Sequence, residues 1–390
     1  MCAQTVMMID TPPKIPSHRL PHSQSEQVDW LRLCRSHRVG PATFVSLLDD
    51  YDSCGGALAA LPEVARISGV KSYHPYDSHS AERELDLGYS LGYRPLFLGA
   101  SDYPALLAQA SDAPAFLWAR GDIALAARPC VSVIGARNAS SLGLRMASRV
   151  AYALGEIGYV VVSGLARGID TVAHQKSIAT GTIAVQAGGL DVVYPKENAD
   201  LQEQIGTEGL CLSEHPIGLV PQARHFPQRN RIVAGLSLGV VVIEAAARSG
   251  SLITARAAMD QGREVLAVPG SPIDPRASGC NILIRDGATL VRDGADIDRA
   301  LGQPCGQPRR SSALADVSDQ KSEPASSEQI PSSEAIDAQI LDLLSANATP
   351  EDLVIRDMGF PAAVVSRQLT ALEMSGKIQR QAGGILALVN

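Results

Sequence analysis

Val131-Ser132-Val133-Ile134, running into Gly135-Ala136-Arg137-Asn138, sets the pattern that decides the fold. The same grammar recurs. Tyr159-Val160-Val161-Val162 leads into Ser163-Gly164-Leu165-Ala166-Arg167-Gly168-Ile169-Asp170, and Thr182-Ile183-Ala184-Val185 into Gln186-Ala187-Gly188-Gly189. Leu210-Cys211-Leu212 leads into Ser213-Glu214, Val240-Val241-Val242-Ile243 into Glu244-Ala245, and Val265-Leu266-Ala267-Val268 into Pro269-Gly270. Segments of helical character lie between the runs, such as Leu142 to Ile157 and Ser251 to Gln261. Uninterrupted apolar runs rich in β-branched residues, alternating with helices, predict a parallel sheet buried on both faces. The fold class is therefore α/β, with a Rossmann-like doubly wound central domain.

Ligands of such sheets bind beyond the carboxyl ends of the strands. Here those ends carry Gly135, Gly164 and Gly168, which allow close backbone approach, and Arg137 and Arg167, which add positive charge. Backbone N–H groups at the following helix starts suit phosphate. The dinucleotide pattern Gly-x-Gly-x-x-Gly is missing after the first run, and no Gly-x-x-x-x-Gly-Lys-Ser/Thr occurs, so neither nucleotide motif applies.

The most telling short segment is Phe226-Pro227-Gln228-Arg229-Asn230-Arg231, preceded by Arg224 and His225. It combines cations for phosphates with a π face for an unstacked base. The bland reading is a surface turn with a buried Phe. Between Glu214 and Asp260 there are five arginines and one acid, Glu244, and Lys196 follows the third strand. A local basic site at one sheet edge is expected.

Two features admit catalysis. Asp170 and His174 are four apart, a spacing that can hold a metal or form an acid–base pair; the plainer reading is a capped helix start with an internally bonded His. Glu244 with Ser249-Gly250-Ser251 and Thr254 is similar to the carboxylate and phosphate cradle of nucleotide-cleaving Rossmann enzymes. The plainer reading there is a helix cap and a structural carboxylate.

Five motifs in order carry a family resemblance: Val133-Ile134-Gly135-Ala136-Arg137; Ser163 to Asp170 with His174; Gly189-Leu190-Asp191 with Tyr194-Pro195 and Asn198; Phe226 to Arg231; and Ser249-Gly250-Ser251-Leu252-Ile253-Thr254-Ala255 with Val268-Pro269-Gly270. Over about Tyr103 to Ala300 the chain resembles the DNA-processing protein A family (DprA/Smf). It departs from the commoner family pattern in having Gly135-Ala136-Arg137 for Gly-Ser-Arg and Gln186-Ala187-Gly188-Gly189 at a turn. The resemblance implies single-stranded DNA binding without sequence preference, protection of incoming DNA, and its delivery to RecA recombinase during natural transformation. It also implies a homodimer, no cofactor or metal, and no nucleotide hydrolysis. Carried onto this chain, it assigns DNA binding to Arg137, Ser163, Gly164, Arg167, Gly168, Lys196, Arg224, Phe226, Arg229, Asn230 and Arg231. Arg229 and Arg231 are assigned either to DNA or to bracing the pocket. Self-association falls to Ile284 and Leu290. The alternative function is a Rossmann-fold nucleotide-cleaving, phosphoribohydrolase-like enzyme, which usually carries a Pro-Gly-Gly-x-Gly-Thr loop that this sequence lacks.

With 390 residues, 45% of them hydrophobic, the chain can build more than one domain. Residues 1–26 are polar and Pro-rich, without the layout of a secretory signal, and are expected to be disordered. Residues 27–95 are expected to form a helical SAM-like or helix-hairpin-helix domain, with its hairpin at Val39-Gly40-Pro41. Residues 96–301 form the extended Rossmann-like domain, and 302–333, rich in Ser, Pro and Gln, a disordered linker. Residues 334–390 are expected to form a winged-helix domain, with Ile336, Ile340, Leu343 and Leu344 as one apolar stripe and a β-wing at 377–388. Its seven acidic and four basic residues oppose phosphate binding, so a protein-interaction or accessory role is expected there. Seven scattered cysteines with no Cys-x-x-Cys pair suggest neither a zinc site nor a disulfide framework. No apolar run reaches a membrane span. The expected location is cytoplasmic. A net charge of −7 confines any nucleic-acid site to a local pocket.

Overall fold

In a computed structural model of the chain, residues 15–70, 72–302 and 333–388 are described, the last with breaks at 346–348, 352–353, 356–357, 359 and 382–384. Residues 1–14 and most of the expected linker lie outside the described residues. The rest of the expected disordered N-terminal segment is placed: Ile15 is 1% exposed, and Ser23 begins the first helix.

Four helices come first: α1 (Gln24–Arg35), α2 (Pro41–Tyr51), α3 (Cys54–Ile67) and α4 (Ser78–Ser90). Their starts are legible locally. The Ser23 hydroxyl accepts from the Glu26 N–H while the Glu26 carboxylate accepts from the Ser23 N–H, a reciprocal cap. Gly40 and Pro41 open α2, and the Asp77 carboxylate caps α4.

The sheet has nine strands: β1 (Arg94–Phe97), β2 (Phe116–Gly121), β3 (Cys130–Ile134), β4 (Val160–Ser163), β5 (Thr182–Val185), β6 (Leu210–Ser213), β7 (Gly239–Val242), β8 (Glu264–Ala267) and β9 (Thr289–Leu290). Their order is β1-β2-β6-β5-β4-β3-β7-β8-β9. The seven strands from β6 to β9 are parallel. The six runs read from sequence are β3 to β8. Strands β1 and β2 add antiparallel at the β6 edge, with Leu96 opposite Leu117 and Ala119 opposite Leu212. The helices of this region are α5 (Ala105–Ala108), α6 (Ser141–Ile157), α7 (Ile169–Ser177), α8 (Ala199–Glu208), α9 (His225–Gly235), α10 (Ser251–Asp260), α11 (Ser278–Arg285) and α12 (Gly294–Leu301). Successive side chains of β3 go to opposite faces. Val131 and Val133 join a layer with Val150 and Leu154 of α6 and Ile297 of α12, while Ile134 joins the layer of Ile232 and Val233 of α9.

The helical region is not a free-standing module. It shares one core and one compact unit with the sheet, and β1 begins two residues before the expected boundary at 95/96. Trp30 of α1 packs edge-on to Phe97 of β1, and its indole N–H donates to the Ala115 carbonyl at 2.9 Å. Arg35 forms a buried ion pair with Glu84 of α4 at 2.7 Å and donates to the Glu214 carbonyl. Trp118 of β2 donates to the same Glu84 carboxylate. Gly88 makes room for that indole, since a Cβ there would fall 2.2 Å from it.

The described residues of 333–388 belong to a second unit. Helices α13 (Ser333–Ser345) and α14 (Ala362–Met374) and the antiparallel strands β10 (Thr349–Pro350), β11 (Ile378–Gln381) and β12 (Ile385–Leu388) close over Ile336, Ile340, Leu344, Val365, Leu369 and Leu386. This is the winged-helix pattern, with the wing where the sequence puts it.

Candidate nucleic-acid interface

From β3 the chain steps through β4 and β5 to β6 on one side of the sheet; β7, β8 and β9 then continue on the other side of β3. The connections thus diverge between β3 and β7, the point where open α/β sheets bind ligands. A cleft of about 830 Å³ opens there, beyond the carboxyl ends of both strands. Its walls come from the β3 loop (Arg137, Asn138), the first turns of α9 (Phe226, Arg229, Asn230), and the loop into α10 (Arg248 to Ser251).

Phe226 stands at the mouth, in the first turn of α9. The Arg137 guanidinium lies 4.8 Å from its ring centroid, and Tyr194 lies 5.5 Å away at 53°. Four cationic side chains line the cleft: Arg137, Arg229, Arg248 and Arg276. The one acid in the lining, Asp170, is buried behind them.

Arg229 is only 5% exposed. Its guanidinium fills the space left by Gly164, where a Cβ would fall 1.2 Å from Nη1. Burial lowers its pKa to about 10, opposed by Asp170 and assisted by Arg137; it remains a cation at neutral pH. Burial raises the Asp170 pKa, while Arg229 and the Ala166 and Gly164 N–H groups pull it back.

The loop after β4 is organised from within. Asp170 Oδ2 accepts from the N–H groups of Gly164 and Ala166, and His174 Nε2 accepts from Leu165, whose φ is +55°. His174 Nδ1 then donates to Thr182 Oγ1 at 2.7 Å, which donates to the Val161 carbonyl. Burial pushes the His174 pKa down to about 3, so the ring is neutral. Asp170 and His174 therefore follow the plainer of their two sequence readings. The donors expected to face a phosphate at Gly164 serve Asp170 instead.

The other expected site residues separate into groups. Arg137, Phe226, Arg229 and Asn230 converge on the cleft. Gly164 seats Arg229, and Gly168, at φ +79°, packs against the carbonyls of Ala136 and Arg137. Ser163 does not face the cleft: its hydroxyl is buried and donates to the Val133 carbonyl at 2.7 Å. Arg231 takes the bracing role, held by Glu214 and the Asp112 carbonyl, because the helical turn directs it away from Arg229. Arg167, Lys196 and Arg224 are exposed outside the cleft wall, Arg167 3.6 Å from Glu197. Arg276 joins the lining without having been singled out in the sequence, and Asn138 and Ile253 stood there only within quoted stretches. Arg248 and Tyr194 were visible there only as one more arginine and as part of a motif. Glu244 is buried and does not line the cleft.

Comparison with known proteins finds three family models along the chain. The model for DNA recombination-mediator protein A matches residues 94–302. The chain belongs to this family. The DprA-like N-terminal helix-hairpin-helix model matches 24–86, and the DprA winged-helix model matches 323–384. The DNA processing protein DprA of Streptococcus pneumoniae is 49% identical over 197 residues, 50% of this chain and 70% of that protein. Protein Smf of Escherichia coli is 36% identical over 292 residues, 73% of this chain and 75% of that one. The X-ray structure of the S. pneumoniae protein covers 69% of this chain and 96% of its own, at 37% identity and a TM-score of 0.59. Membership supports a DNA-processing, recombination-mediator role. No helix among the described residues is long and apolar enough to cross a membrane.

Proposed function

We propose that the cleft binds single-stranded DNA without sequence preference, and that the protein protects this strand and hands it to a RecA-type recombinase. The observation that carries the reading is the cluster of Arg137, Phe226 and Tyr194 beside Arg229, in a cleft whose one acid is buried. An aromatic face accepts any base, and cations track the phosphates. An exposed base fits; a paired base keeps its faces stacked inside the duplex. Arg167, Lys196 and Arg224 extend this basic surface beyond the cleft. The protein works as a cytoplasmic homodimer, with Ile284 and Leu290 in its two-fold contact, and does not hydrolyse nucleotides. RecA delivery rests on family membership. The test is a titration of the full chain with single-stranded and duplex DNA across a range of salt. Preference for the single strand, with affinity falling as salt rises, is expected; equal binding to both would overturn the reading. Stimulation of RecA filament formation on coated strands tests the delivery step.

A further inference from the structure

We propose that one end of the cleft is a seat for a phosphomonoester, carried by the 5′ end of a strand or by a free nucleotide. The inference rests on the single-strand reading above and adds end recognition to it. Two independent observations concern this cleft. The first is Arg229. This guanidinium is nineteen-twentieths buried, yet no described residue accepts a hydrogen bond from it, and its Nε is enclosed without a partner. Buried donors are nearly always paired, and a guanidinium carries five of them. Asp170 balances its charge, but Asp170 accepts its hydrogen bonds from Gly164 and Ala166. The donors on Arg229 are matched to a group not supplied by the described chain.

The second is the start of α10, which packs directly on α9 and lines the same cleft. Gly250 stands at its N-cap, and the Ser249 hydroxyl accepts the Ser251 N–H, which leaves the Gly250 N–H itself. Among the described residues the Gly250 N–H has no acceptor, and a Cβ built there meets nothing within 4 Å. An open N–H at the positive end of a ten-residue helix suits an anion. The hydroxyls of Ser249 and Ser251 lie in the same wall but are spent within it: Ser249 donates to Ser251, and Ser251 to the Gly135 carbonyl.

Charge selects the monoester. Among the described residues neither Arg137 nor Arg248 has a carboxylate within ion-pair distance, while Arg276 is held by Asp274. Arg137, Arg248 and the helix end together offer more than two positive charges. An internal phosphodiester carries one negative charge, and a terminal monoester close to two at neutral pH. Phe226 and Tyr194 can then hold the base of the same nucleotide.

The test uses the full chain and four probes: oligothymidylates of equal length with a 5′-phosphate or a 5′-hydroxyl, and dTMP against thymidine. The phosphate should tighten binding about tenfold, the scale of one charge-assisted contact. A tighter phosphorylated strand places the seat at strand ends. A dTMP advantage without a strand advantage assigns it to free nucleotides. Equal affinity within both pairs overturns the proposal. It leaves the single-strand reading standing if Phe226→Ala still weakens the 5′-hydroxyl strand. Arg229→Lys and Arg248→Ala should each narrow the phosphate advantage several-fold. If circular dichroism shows Arg229→Lys unfolded, the exposed Arg248 decides: an unchanged advantage in Arg248→Ala overturns the seat.

Discussion

Arg229 lies where a side chain of Gly164 would be: a Cβ on Gly164 would stand 1.2 Å from Arg229 Nη1. Two sequence motifs 65 positions apart thus form one object, with Asp170 beneath it. Gly164→Ala should expel the guanidinium and leave Asp170 buried without its cation. Leaving a buried charge uncompensated costs up to about 3–5 kcal/mol. Chemical denaturation should show a loss of that order, together with weaker strand binding. A variant of wild-type stability would mean that Arg229 has room elsewhere.

At the mouth of the cleft, Phe226→Ala should weaken single-stranded DNA binding by about 1–3 kcal/mol, the scale of a base–aromatic stack. Arg137→Ala should lower the salt dependence by about 0.7 in the log–log slope, the value of one single-strand phosphate contact. Fluorescence anisotropy at several salt concentrations separates the two effects. Unchanged affinity in both variants, with the proteins folded, would place the DNA elsewhere.

His174 makes the fold sensitive to acid. The unfolded imidazole takes up a proton near pH 6.5, the folded one only near pH 3. Between these values the unfolded state binds more protons, so stability rises with pH across the window and falls on acidification. The slope from this residue approaches about 1.4 kcal/mol per pH unit. His215, pushed down to about 4 chiefly by burial, adds its own share. His174→Gln should flatten the stability profile between pH 6 and 4 by about one proton's worth. Identical acid slopes in the two proteins would refute a buried neutral His174.

The helical region and the sheet should unfold together, because Arg35, Glu84 and Trp118 join them in one buried network. Arg35→Ala leaves the Glu84 carboxylate without its cation and should cost about 3–5 kcal/mol. Arg35→Met with Glu84→Gln should recover much of this, since both charges are then gone. Thermal unfolding followed by the fluorescence of buried Trp30 and Trp118 reads both regions. Two separate transitions in the wild type would contradict the shared core.

Self-association is best probed at Leu290. It is 44% exposed on β9, the edge strand of the sheet, whereas Ile284 packs partly against the core. Leu290→Glu should therefore yield a folded monomer by light scattering and circular dichroism, because a two-fold interface would meet the charge twice. Ile284→Glu should cost some stability as well. A folded dimer in Leu290→Glu would move the interface elsewhere.

Much of this was written locally. The six apolar runs became β3 to β8 because an uninterrupted β-branched run can be buried on both faces only in the middle of a parallel sheet. Arg137, Phe226, Arg229 and Asn230 could be singled out because their residue types are unusual together, and the family motifs placed them in order. Strands β1, β2 and β9 were not legible: β1 and β9 are short edge elements, and β2 lies between two antiparallel neighbours, so their identity comes from pairing with other segments. Sequence also could not divide the arginines. Arg229 and Arg231 are two positions apart, and only the helical turn and the positions of Gly164 and Glu214 send one to the cleft and the other to an ion pair. The backbone at Gly164 looked open to a ligand until folding brought Asp170 to its N–H and that of Ala166. Residue type and period are carried by neighbours along the chain, so the sequence alone determined the layers and the chemical character of the site. Which donor is already satisfied depends on atoms brought together from far along the chain, and that was decided only by the tertiary structure.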